Sequence, residues 1–302
     1  MRMRRTIIAG LCLMLGVTMT QAQVKLAFKP ETGSKYTYQT EIVQDIKQSA
    51  MGRELPIEET VTMGFLMDIQ NSNGKETGAQ FSLQDVSYLL SSPMMKMSYD
   101  SKKPTENPNA LDKIHEKIFG SVLGKSYVLS IAPDGSVNSV TGVDAVIVGI
   151  AQAVAADGEM GAQLSSSLTS QWLGESAIKG MFEQTFRVFP SNGIKPGDSW
   201  TIESNYGVSN KKSDIKTLYS LQDVKDGVAT ISVKATVELN PGGGLEGTLT
   251  GTQSGILLVD AKTGIPVSSD LTLNIKGPVK QQQVEIQMEM AAKMKTTVKE
   301  IN

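Results

Sequence analysis

The chain has 302 residues, with 29 basic and 31 acidic side chains for a formal net charge of −2, 40% hydrophobic residues and 5% aromatic ones. That mild acidity excludes the clustered positive face of a nucleic-acid binder, and the apolar content excludes wholesale disorder. One histidine and one cysteine in the whole chain exclude zinc sites, disulfide frameworks and thiol chemistry.

Residues 1–22 read as a secretory signal peptide. Arg2, Arg4 and Arg5 form a positive start, Ile7 to Val17 an apolar stretch too short for a stable membrane anchor, and Thr20-Gln21-Ala22 a cleavage site. A lipoprotein leader acylated at Cys12 fits less well, because Leu11 precedes the cysteine where a small residue is wanted. Cleavage near Ala22 predicts an extracytoplasmic protein, periplasmic or secreted, without cysteine and held by packing alone. The mature chain is expected to have no transmembrane segment, since no later run approaches ~18 apolar residues.

The first third alternates with period two, the mark of strands. Val24, Leu26 and Phe28 begin it, and Tyr36, Tyr38, Ile42 and Ile46 share one side of a strand opened by Gly33. Val61, Met63, Phe65, Met67 and Ile69 form the clearest stripe, which ends in a hairpin turn at Asn73-Gly74. On the return strand the phase slips between Leu83 and Val86, which predicts a bulge.

The middle changes to helical period. Asn107-Pro108 reads as a helix start, followed by the stripe Leu111, Ile114, His115, Ile118 and Phe119. After a strand and turn over 128–140, Val143, Val146, Ile147, Ile150, Ala151 and Val154 form a second stripe with few polar residues opposite, which predicts a helix covered on much of its surface. Residues 157–176 predict a loop or a broken helix. Ile178, Met181, Phe182, Thr185, Phe186 and Phe189 form a third stripe, stopped by Pro190. Alternation then returns at Ala229–Leu239 and at Val284–Met290.

The expected fold is α+β, mainly antiparallel β, in one domain over 23–302, with a β flank at 24–140, a helical middle at 141–190 and a β flank at 195–302. The flanks look like copies of one plan. Each opens with Gly-x-x-aromatic (Gly33–Tyr36 and Gly197–Trp200) and has a first hairpin at Asn73-Gly74 or Asp226-Gly227. Each has a second hairpin, at Asp134-Gly135 or Thr263-Gly264. The wider spacing in the first copy matches an insertion of the helix at 108–119. Two such meanders joined edge to edge make a sheet that curls as twist accumulates, and its concave face needs the inserted helices as cover.

This layout resembles the curved half-barrel with inserted helices of periplasmic lipoprotein carriers and related lipid-binding envelope proteins. Gly33 to Tyr38, Pro133 to Gly135 and Gly197 to Trp200 also resemble the pattern of an uncharacterised family of secreted bacterial envelope proteins, a domain of unknown function. The first resemblance implies a lipid-binding fold and the second implies no activity.

Motifs with catalytic associations have plainer readings. Gly242-x-Gly244-x-x-Gly247 matches a dinucleotide fingerprint, but Thr248-Leu-Thr-Gly-Thr after it is strand or loop where a helix N-terminus is required. Ser176-Ala-Ile-Lys179 with Lys262-Thr263-Gly264 resembles the serine penicillin-recognising enzymes, but no Ser-x-Asn or Tyr-x-Asn element lies between them. His115 lies on an apolar stripe, where a structural imidazole is usual. Met94, Met95, Met97, Met288, Met290 and Met294 suit core filling or an adaptable greasy surface more than a Cu(I) site.

The expected function is therefore non-catalytic: binding of an apolar ligand such as a lipid or acyl chain between the sheet and its helices, lined by Tyr36, Tyr38, Phe65, Met67, Ile147, Ile150, Phe182 and Phe186. No catalytic residue, metal or cofactor is expected. The alternative is a structural or protein-interaction module of the envelope that meets a partner protein through a sheet edge or the Pro241–Gly247 loop. An enzyme with a polar cleft and convergent acids comes third.

Overall fold

Period-two alternation carries most of the chain into strands. The computed structural model of the protein describes residues 23–103, 106, 108–169, 175–208, 211–241 and 244–301. The leader at 1–22 with Cys12, Asn107, Gly242 and positions 170–174 of the expected loop lie outside the described residues.

The first flank supplies β1 (Lys35–Ala50), β2 (Arg53–Ser72), β3 (Thr77–Ser91), β4 (Lys96–Asp100), β5 (Ser126–Ile131) and β6 (Val137–Thr141). Helix α1 (Ala110–Val122) lies between β4 and β5. Helices α2 (Val143–Ala153), α3 (Gly158–Leu168) and α4 (Glu175–Phe186) follow. The second flank supplies β7 (Ser199–Val208), β8 (Lys211–Lys225), β9 (Val228–Leu239), β10 (Leu245–Gly247), β11 (Leu249–Asp260), β12 (Pro266–Gln281) and β13 (Val284–Ile301).

These strands form one open antiparallel sheet in the order β6-β5-β3-β2-β1-β13-β12-β11-β9-β8-β7, with β4 beside β3 and β10 beside β12. The first and last strands, β1 and β13, join the two meanders from Lys35↔Ile301 to Ser49↔Gln287. The free edges are β6 and β7, and α4 packs against both. The expected bulge is present: Gly64 faces Asp85 and Phe65 faces Leu83, leaving Gln84 as the extra residue.

Alternation sorts the two faces. Outward positions of β1 and β13 carry Lys35, Glu41, Asp45, Lys47, Glu285, Glu289, Lys293, Lys295 and Lys299, all exposed. The inward positions are mostly apolar, with Thr40, Gln44, Gln48, Thr296 and Glu300 among them. This is the reverse of a membrane-spanning barrel, whose strands put apolar residues outward. No single helix among the described residues is long and apolar enough to cross a membrane.

The flank openings share a hydrogen-bond pattern. Gly33 N–H donates to Ile69 O (2.8 Å) and Ile69 N–H to Ser34 O (3.0 Å); Gly197 N–H donates to Leu221 O (2.8 Å) and Leu221 N–H to Asp198 O (3.0 Å). Both glycines have positive φ, +85° and +95°.

The expected roof of three helices is only partly formed. Helix α4 places Ile178, Phe182 and Phe186 in the main core with residues of β1, β2, β3, β5, β6, β8, β9 and β11. Helices α1 and α2 share a separate cluster of Ile114, Ile118, Val122, Val146, Ile150 and Val154, with Leu83 and Leu164 against it. Because Leu83 sits opposite Phe65, which packs on the main core, both helix groups lie over the same sheet face. Two apolar helices cover each other as well as they cover a sheet, so their stripes alone do not decide the partner.

Four local expectations are corrected. The N-cap of α1 is Asn109, two residues after Asn107: its side chain accepts from Asp112 N–H and the Asp112 carboxylate accepts from Asn109 N–H, a reciprocal capping box. Residues 24–28 form no strand; Leu26 and Phe28 are buried, but the segment crosses two turns, with Phe28 N–H donating to Pro133 O (2.8 Å) and Lys29 N–H to Thr263 O (2.7 Å). Helix α2 is open on its far side, where Val148 is 53% exposed and Ala145 and Ala151 are exposed. Helix α4 ends at Phe186, so Phe189, still buried in the core, lies beyond it. The segment 157–176 takes the broken-helix form, with α3 in its described part.

Candidate ligand-binding face

Directly paired residues share a face, so the register assigns the inner surface row by row. At one end, Tyr36–Met67–Phe81–Tyr127 runs across four strands, and Val298–Tyr38–Phe65–Leu83 lies next to it. Helix α4 seals this end. Phe182 meets Phe81 with ring centroids 4.4 Å apart, and Phe186 meets Phe28 at 5.0 Å and Tyr38 at 6.1 Å.

Of the eight expected lining residues, Tyr36, Tyr38, Met67, Phe182 and Phe186 are buried members of this core, and Phe65 and Ile147 are half-buried against it. Ile150 belongs to the α1–α2 cluster. The structure brings seven together and separates one. Burial pushes the phenols of Tyr38 and Tyr127 well above the usual tyrosine value. The Tyr38 hydroxyl has no hydrogen-bond partner among the described residues.

At the far end a second dry cluster forms from strands alone: Ala235, Val237, Leu249, Ile275, Val279, Ile286 and Met288, with Ile46, Ile215 and Leu245 against it. Between the two packed ends lies a band of half-buried side chains. One row reads Leu271–Met294–Ile42–Val61–Tyr88 across five strands. The rows on either side are Ser269–Thr296–Thr40–Met63 and Leu273–Ala292–Gln44–Glu59. Ile42, Val61, Met63 and Met294 fall between the two packed clusters, and each is half-buried.

This half-buried apolar band, the trough, has polar groups at its margin. Gln44 Nε2 donates to the Glu59 carboxylate, and the Tyr88 hydroxyl also bonds to Glu59. The Tyr88 phenol is pushed up by burial first, then by the charge of Glu59 and the bond to it. Helix α1 backs Tyr88 through His115, whose ring stacks 6.2 Å away and whose Nδ1 lies 2.8 Å from Leu111 O. That is the structural role expected of a histidine on an apolar stripe.

Ser176 is exposed at the start of α4, and Lys262 lies on a hairpin turn paired with Glu31 at 2.7 Å. Met288, Met290 and Met294 share the inner face of β13, while Met94 and Met95 lie on the turn before β4. Val61, Met63, Met294 and Leu271 were not among the expected lining residues. The alternation that put them on the inner face was visible, but the positions of the two packed ends were not.

The profile of the family of unknown function DUF6263 matches residues 74–266, well over half of the chain. The chain belongs to DUF6263. No curated protein matches this DUF6263 sequence. Among solved structures, lipovitellin, described for its lipid–protein interactions, matches at a TM-score of 0.47 and 9% identity, over 89% of this chain and 25% of that one. The chain thus spans a quarter of lipovitellin. The β domain of the Bordetella autotransporter BrkA matches at 0.32 and 8%, over 88% and 99% of the two chains. An exported protein of YmcC-like fold from Bacteroides fragilis matches at 0.23 and 11%, over 89% and 97%. These likenesses are loose, and no ligand or location is carried over from them to DUF6263.

Proposed function

We propose that this chain is a non-catalytic, extracytoplasmic binding protein that holds an apolar ligand, such as a lipid or acyl chain, along the inner face of its sheet. One observation carries this reading: Ile42, Val61, Met63 and Met294 keep contact with water on a face that is otherwise dry at both ends. Covering the exposed half of such a side chain gains about 1 kcal/mol. An alkyl chain adds about 0.8 kcal/mol per buried methylene, so roughly ten methylenes offset the cost of association. Two of the four are methionines, whose thioether arms adapt to varied apolar shapes.

The location rests on the leader read at 1–22. The non-catalytic reading is supported by the chemistry facing the trough, where one carboxylate meets amide, hydroxyl and phenol groups. We also infer that the sheet is a half-barrel built from two copies of one meander, supported by the matching hydrogen bonds at Gly33 and Gly197. Native mass spectrometry of the protein purified from cells is expected to reveal bound lipid, and an added acyl chain should bind about tenfold more weakly to Ile42→Asn. Absence of both bound lipid and acyl-chain binding overturns the reading.

A further inference from the structure

Among the described residues Glu59 is the one charged side chain on the inner face of the trough. From the row Ser269–Thr296–Thr40–Met63 to the row Ile275–Met290–Ile46–Ile57, every other inward position on β12, β13, β1 and β2 is uncharged. Three acids on the outer surface pair with lysines: Asp68 with Lys35 at 3.0 Å, Asp85 with Lys102 at 3.0 Å, and Glu203 with Lys216 at 2.9 Å. Among the described residues no lysine or arginine pairs with Glu59. Its partners, Gln44 and Tyr88, are neutral donors. They orient the carboxylate without cancelling its charge.

A half-buried carboxylate against an apolar wall is costly unless a cation completes it. The row next to it, Leu271–Met294–Ile42–Val61, crosses four strands at a spacing of about 4.8 Å, hence about 14 Å of apolar track. That length is comparable to an extended dodecyl chain.

We propose that the trough binds a cationic amphiphile, its alkyl chain along the Leu271–Met294–Ile42–Val61 row and its ammonium group on Glu59. This deepens the apolar-ligand reading and rests on it. A positive head group gains a charge-assisted hydrogen bond to the carboxylate. A fatty-acid carboxylate in the same place meets like charge and is disfavoured. Thr40 and Thr296, whose hydroxyls lie 3.1 Å apart, border the other side of the track and add no charge.

The test compares three probes of equal chain length, dodecylammonium, dodecanol and dodecanoate, at about 0.15 M salt so that distant surface charge is screened. Binding to the full chain is read by displacement of a fluorescent apolar probe. Dodecylammonium should bind at least about tenfold tighter than dodecanoate, with dodecanol between. In Glu59→Gln the ammonium advantage over dodecanoate should vanish while dodecanol still binds; attraction to the generally acidic surface would survive that substitution. Equal binding of the ammonium and carboxylate probes to the wild-type chain overturns the proposal, with or without a folded variant. So does an ammonium advantage that persists in Glu59→Gln. Failure of all three probes to bind the wild-type chain overturns the apolar-trough reading itself.

Discussion

Gly135 lies so close to the backbone carbonyl of Phe186 that a Cβ at this position would overlap the oxygen. Its φ is +84°, in the left-handed region. The turn between β5 and β6 is thereby locked onto the end of α4, the helix that seals the core. Gly264 stands in the same relation to Ala27 O, at φ +73°. Gly135→Ala combines a backbone clash with left-handed strain and should cost about 3 kcal/mol or more. Gly74→Ala, at φ +79° with open space around it, should cost only about 1 kcal/mol. Urea unfolding of the two variants checks the difference.

Tyr38 is buried and its hydroxyl has no partner among the described residues. An unmet buried hydroxyl costs about 1–3 kcal/mol. Tyr38→Phe keeps the ring against Phe81 and Phe186 and removes that cost. The variant should be more stable than the parent by about 1 kcal/mol, read as a higher Tm.

The capping box at Asn109 fixes where α1 begins. Asn109→Ala should lower stability by about 1 kcal/mol, whereas Pro108→Ala should change it by a few tenths. Thermal unfolding followed by circular dichroism separates the two.

Much of the fold was legible because alternation is a local signal. The stripe from Val61 to Ile69, the bulge opposite Gly64 and the turns at Asn73-Gly74 and Asp226-Gly227 are all written in neighbouring residues. Less was legible where partners come from afar. The stripes of α1, α2 and α4 look alike, yet α4 caps the main core with its whole stripe while α2 reaches it only through Val143 and Ile147, because that depends on where both sheet edges meet. For the same reason Tyr36, Tyr38, Phe65 and Met67, expected to line a ligand, could not be seen to lie at the end that α4 seals. The trough two rows further along is bounded by a second cluster that no single segment announces.

Burial raises the phenols of Tyr38 and Tyr127, and burial followed by the charge of Glu59 raises Tyr88. A raised folded-state value means that the neutral form is favoured on folding. The contribution is fully present below the ordinary tyrosine value of about 10 and is lost as pH rises from there through the folded values. The melting temperature should therefore show no tyrosine-linked change from about pH 7 to 9 and fall above about pH 10. The fall should be shallower in Tyr127→Phe.

Each neighbouring pair of long strands in the sheet follows closely along the chain, with the exception of β1 and β13. Thr37 and Lys299, which meet across that seam, are separated by 262 positions. During synthesis the first long strand must wait, one edge unpaired, until the last one has been made. Closing so distant a contact is entropically slow, so the native state is out of reach for any nascent chain still missing its final strand.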